Sequence, residues 1–128
     1  MKIHDFDGPN DVSGIHAIGL ALSRRHFADG YGFNSFWLSH EKPFPALLIL
    51  SRDDSSVLYY LPRDRDAGSR SVGTTERLAG VTEFRMDSAD QPLEVPDEAI
   101  VPSALAVRAA VEFEAAAARP LCVSWLDL

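Results

Sequence analysis

The chain has 128 residues, 46% hydrophobic and 24% charged, and a formal net charge of -7. That length predicts one domain over residues 1–128, large enough to bury a core without disulfide or metal staples. The acidic balance argues against a general nucleic-acid binder, which needs a basic face, and against a peripheral binder of anionic membrane.

The single cysteine, Cys122, rules out an intramolecular disulfide and a multi-cysteine zinc site. No apolar run reaches the roughly 18 residues of a membrane span. The segment Met1 to Asp7 is polar and acidic, unlike a signal peptide, so a soluble, cytoplasmic protein is the expectation.

The first element predicted is a helix opening at Asn10 or Asp11, either of which can cap free first-turn amides. Ile15, Ile18, Leu22 and His26 fall at helical spacing, Arg24 and Arg25 suit a C-terminal turn, and Gly30 and Gly32 stop the helix near Asp29. Strands follow. Ser35 to Ser39 is short and aromatic, and Phe44 to Leu50 contains the run Ala46-Leu47-Leu48-Ile49-Leu50, which suits a strand covered on both faces. A polar turn centred on Asp53 and Asp54 leads into Val57 to Leu61, making an antiparallel hairpin. Residues 62–77, charged and without period, read as a mobile surface loop. Gly80 to Met86 alternates imperfectly as a strand, and Pro92 and Pro96 suit an edge strand or an extended connection.

The last third is the clearest. Pro102 and Ser103 open a helix whose inner face, Ala106, Ala109, Ala110, Phe113 and Ala117, is mostly small, and Arg119-Pro120 ends it. Leu121, Val123 and Trp125 then alternate as a final strand. The whole reads as α+β: an antiparallel sheet with an N-terminal and a C-terminal helix on one face, ending in a strand.

Motifs for chemistry are sparse. His4, His16, His26 and His40 are scattered, and His16 and His26, ten apart on the first predicted helix, fall on roughly opposed faces. There is no HExxH or zinc-deaminase motif, no GxSxG and no P-loop. Asp64 and Asp66 start like a calcium loop but lack its later carboxylates, and Cys122 reads as a structural thiol. No metal and no cofactor is implied. Residues 79–101 hold one basic and six acidic side chains, among them Glu83, Asp87 and Asp90. Such a patch is either a solvated face or a surface that meets a basic partner.

Val101-Pro102, Ala106, Ala109, Glu112-Phe113, Arg119-Pro120, Val123 and Trp125, with the upstream hairpin Ala46 to Leu50 and Val57 to Tyr60, resemble the Imm1 family of immunity proteins of bacterial polymorphic toxin systems. The resemblance spans roughly residues 35–128 and implies a small cytoplasmic α+β protein that neutralises a cognate toxin domain, often a nuclease or nucleic-acid deaminase. It brings no catalytic residues.

On that reading the candidate toxin-binding residues are Asp53, Asp54, Tyr60, Asp64, Asp66, Glu83, Asp87 and Asp90. The acidic ones steer the toxin in, the loop around Arg63 to Asp66 selects it, and Tyr31, Phe33, Tyr59 or Tyr60 are candidate anchors. The expected partner is the toxin domain, with no direct nucleic acid and no membrane; the free protein is a monomer or weak dimer. The rival readings are a small-ligand domain with a pocket between helices and sheet, an enzyme using His26 or His40 with a carboxylate, and a subunit of a larger complex betrayed by an exposed apolar patch.

Overall fold

The computed structural model describes residues 1–128. In chain order it runs β1 (Lys2–Asp5), β2 (Gly8–Asp11), α1 (Ile15–Leu22), β3 (His26–Ala28), β4 (Tyr31–Ser39), β5 (Ala46–Arg52), β6 (Ser55–Leu61), β7 (Ser69–Val72), β8 (Val81–Arg85), β9 (Pro92–Pro96), a 3-10 turn (Asp97–Ala99), β10 (Val101–Pro102), α2 (Ser103–Ala116) and β11 (Ser124–Asp127). The main sheet is ordered β11-β7-β6-β5-β4-β1-β2, with β10 added to β6 and β3 to β4, while β8 and β9 form a separate ribbon. All pairings are antiparallel, so the fold is α+β.

The centre is the β4–β5–β6 meander, in register from Phe33↔Arg52 to Ser39↔Ala46 and from Ala46↔Leu61 to Arg52↔Ser55. Its alternation explains the unbroken apolar run of β5. Leu47 and Ile49 join Phe36, Leu38 and Leu58 on one face, packed against Ile18 and Leu22 of α1 and Ala106, Ala109, Ala110 and Phe113 of α2. Leu50, on the opposite face with Val57, packs against Phe84, Val95 and Ala99. Helices therefore cover one face and the β8–β9 ribbon part of the other, and a strand covered twice needs apolar side chains of both parities. The alanines of α2 let its axis lie close to the sheet, with Phe113 as the one large knob.

The first helix departs from the sequence expectation. Gly8 to Asp11 pairs with β1, so Asn10 and Asp11 lie in a strand, and a hairpin precedes α1. Pairing there buries Ile3 and Val12, and that gain outweighs the local capping preference. α1 spans eight residues, begins after Gly14 and ends at Leu22, where the Ser23 hydroxyl donates to the Leu20 carbonyl at 2.6 Å. Arg24 and Arg25 lie beyond the helix and His26 opens β3, so His16 and His26 do not share an element.

Two further corrections concern polar strands. Residues 62–77 contain β7, which pairs with both β6 and β11. Its Ser71 is fully buried, its hydroxyl accepting the Leu58 amide at 3.0 Å and donating to the Ala99 carbonyl at 2.7 Å. Such a strand carries no hydrophobic period. At the C-terminus α2 stops at Ala116, with Ala117 left-handed at φ 49°, and the last strand begins at Ser124. Leu121 is 91% exposed instead of inward-facing.

Candidate functional site

The turn between β5 and β6 presents Asp53 and Asp54, and the two do different things. Asp53, at φ 50°, accepts the Gly32 amide on its carboxylate at 2.9 Å and donates its own amide to the Gly32 carbonyl at 2.8 Å. Its carbonyl accepts Nε and a terminal nitrogen of Arg25 at 3.1 and 3.0 Å. Burial lowers the Arg25 pKa against the raising influence of Asp54 and Asp53. Asp54 lends its carbonyl to the Ser103 amide at 2.8 Å, and its carboxylate is free.

Glu83 stands on the outward face of the β8–β9 ribbon, directly across from Glu94. Like charges so placed repel. Arg85 relieves this by pairing with Glu83 at 2.9 Å and with Asp29 at 2.8 Å. Those hydrogen bonds, Asp29's first and then Glu83's, raise the Arg85 pKa. Asp87 and Asp90 are exposed and engage the chain through their amides alone, to the Ser35 hydroxyl at 3.2 Å and the Ser88 hydroxyl at 3.3 Å.

Asp66 is held by Arg63 at 3.2 Å and by the Gly68 amide at 2.8 Å, whereas Asp64 is exposed without a partner. Tyr60 packs with its ring 6.5 Å from Phe113 and 6.4 Å from Trp125, within the helix-side core. Phe33 is fully buried, with the Arg85 guanidinium 4.7 Å above it. Tyr59 is half-buried, and burial raises its phenol pKa against the opposing charge of Arg70. Among the four aromatic candidates Tyr31 is the surface one, 42% exposed, its ring covered by the Arg52 guanidinium at 3.7 Å.

These residues do not make one cluster. Asp53, Asp54 and Glu83 gather at one end of the molecule, where Arg52 donates to the Glu83 carbonyl at 3.1 Å. Asp87 and Asp90 continue along the ribbon. Asp64, Asp66 and Tyr60 belong to the other end of β6, about 20 Å from Asp54 at about 3.3 Å per strand residue.

Sequence reasoning missed the β3–β4 hairpin at the first end. It turns on Asp29-Gly30, both at positive φ (54° and 86°), and carries Phe27, 83% exposed, and Asp29. The Asp-Gly pair is itself a hairpin signal, but the helical spacing that runs to His26 carries the predicted helix up to it.

The rival chemistries meet a specific arrangement. His26 lies 3.1 Å from Asp7, with both side chains open to solvent, and His40 contacts the Glu114 carbonyl at 3.0 Å. The space between helices and sheet is filled by Phe36, Phe113 and their neighbours. Clefts open at the surface instead, the largest, about 440 Å³, lined by His4, Asp5, Ser35, Trp37, Leu48 and Asp87. No helix is long and apolar enough to cross a membrane.

Over its whole length the chain is similar to the double-stranded DNA deaminase immunity protein of Burkholderia cenocepacia (strain H111), at 29% identity over 130 residues covering 100% of both chains. The model of the family Immunity protein Imm1 matches residues 37–127, a span running from β4 through the ribbon and α2 to β11. The matched span holds most of the meander, the ribbon and the long helix, and the chain belongs to the Imm1 family of immunity proteins.

Proposed function

We propose that this protein is a cytoplasmic, non-enzymatic inhibitor in a polymorphic toxin system. The whole chain, residues 1–128, binds a cognate toxin domain that acts on nucleic acid, a deaminase or a nuclease, and covers its active site or substrate groove. The observation that carries this reading is the end-to-end match to a double-stranded DNA deaminase immunity protein. The charge distribution supports it. A domain that grips DNA presents a basic cleft, and Asp54, Asp87 and Asp90 are exposed with no hydrogen bond or ion pair to their carboxylates. Asp53, Glu83 and Asp66 contribute charge from braced positions; Asp64 adds selectivity at the far end.

Neutralisation inside the producing cell has to be tight. A dissociation constant of about 1 nM corresponds to about -12 kcal/mol, which a buried area of about 1,600 Å² supplies when anchors sit at its centre. Charge sets the encounter rate and excludes wrong partners.

The test is to purify this chain with the inactivated toxin domain encoded beside it. A stoichiometric complex with nanomolar affinity, and growth rescue when the active toxin is co-expressed, are the expected results. No complex, together with a thermal shift by a small metabolite, favours a ligand-binding domain instead.

A further inference from the structure

The exposed aromatic at the β3–β4 hairpin has no role in holding the fold. We propose that this hairpin, with Phe27 at its centre, is the wedge that enters the nucleic-acid cleft of the toxin; the proposal rests on the function stated above.

Phe27 is 83% exposed, yet its position is set. β3 pairs Phe27 with Gly32. The ring edge lies against Gly32: a Cβ there would stand 3.4 Å from Cε1 of Phe27, and 3.0 Å from Cβ of Arg25, so the strand is closely packed at this point. The hairpin is braced from two sides. Arg85 holds the Asp29 carboxylate at its tip, and Asp53 makes two hydrogen bonds with the Gly32 backbone. An aromatic anchor on a rigid element loses little freedom when it binds.

The surroundings fit a cationic cleft. At the hairpin the carboxylates of Asp29 and Asp7 point out and the Arg85 guanidinium points in, while Arg24, just before β3, is an exposed cation set against the buried Asp5. The side chains of Asp29 and Asp7 are 78% and 56% exposed, against 10% for Arg85. Arg25 is spent on the carbonyls of Leu22, Arg24 and Asp53, and Arg52 lies on Tyr31. The result is an apolar centre with a charged rim, the anatomy of an interface hot spot. A planar ring takes the place of a base and carboxylates the place of phosphates, against residues arranged to stack and neutralise both. Leu121, at 91% exposure, lies after α2 beside alanines, and the charged groups near it are Glu112, which is held by the Leu121 and Cys122 amides, and Arg119, which pairs with Asp127.

The test uses the full chain and the inactivated toxin domain encoded beside it. Phe27→Ala keeps the wild-type melting temperature, because so much of the ring is already in water, and weakens binding at least thirtyfold. Phe27→Trp binds within a few-fold of wild type, and Leu121→Ser binds as wild type. A short DNA duplex competes with the wild-type protein for the toxin. If the wild-type chain binds and Phe27→Ala binds equally well, the hairpin is not the wedge. If the wild-type chain itself does not bind, the functional reading falls and takes the wedge with it.

Discussion

Glu112 clasps Cys122: one carboxylate on α2 accepts the Leu121 amide at 3.0 Å and the Cys122 amide at 3.2 Å, tying the last segment to the helix. The Cys122 thiol also donates to this carboxylate and holds its pKa below the ordinary value, with help from the two amides. Burial, and then Glu112, push the thiol up to about 11. Between the ordinary thiol pKa, about 8.5, and about 11, the folded chain keeps a proton that the unfolded chain has lost. The thiol's contribution to stability is therefore whole below that window and declines as pH rises through it. Alkaline melting of the wild type should show this decline from the ordinary thiol pKa upward, and Cys122→Ser should lack it until pH reaches the range where half-buried Tyr59 adds its own decline. Alkylation of the folded protein at pH 8 should be slow and should quicken in Glu112→Gln. Alkylation as fast as in urea would refute the clasp.

Glu114, on the same helix, does for α1 what α1 cannot do for itself. The residue before the helix is Gly14, which has no capping side chain, and both Glu114 oxygens accept its amide at 3.2 and 3.3 Å. Glu114→Ala should cost about 1 kcal/mol in urea unfolding, and Glu114→Gln, which keeps an acceptor, should cost less. Equal stability of Glu114→Ala and wild type would show the contact to be idle.

Much of the frame is legible in the chain because it is apolar and periodic. Ala46 to Leu50 reads as a doubly covered strand, and Ala106 to Phe113 as a helix face, since burial alone explains those residues. β2, β3 and β7 are not legible. They are three or four residues long and carry no apolar alternation; β2 and β3 pair across two-residue turns with β1 and β4, and β7 is held by partners distant in sequence, as Ser71 is held by Leu58 and Ala99. The acidic residues are visible as charges, but nothing local tells Asp87, which is free, from Asp53, which is spent on Gly32. Phe27 is not legible because the helical spacing that runs to His26 places it inside a predicted helix.

Arg85 joins the ribbon to the hairpin. Its guanidinium lies over Phe33 and reaches Asp29, Glu83 and the Ala89 carbonyl. Arg85→Met should lower the melting temperature and quicken amide exchange in the β3–β4 hairpin. Arg85→Lys should not restore it, because an ammonium lacks the planar fork that meets several acceptors at once. The loss should persist in high salt, since the pair is shielded from solvent on the arginine side. Wild-type exchange rates in Arg85→Met would remove this brace from the account.

The ribbon's carboxylates should act on the speed of encounter. In the triple variant Glu83→Gln, Asp87→Asn, Asp90→Asn, association with the toxin domain should slow about tenfold at low salt and lose most of its salt dependence, with dissociation little changed. The single changes should be unequal. Glu83 is already half neutralised by Arg85 at 2.9 Å, whereas Asp87 and Asp90 have no cation at hand, so the latter two should carry most of the effect. Stopped-flow association across a salt series separates the cases. An unchanged rate at low salt would mean that the ribbon faces away from the approaching toxin, and the acidic residues at the Asp53–Asp54 turn would then be the ones to neutralise next.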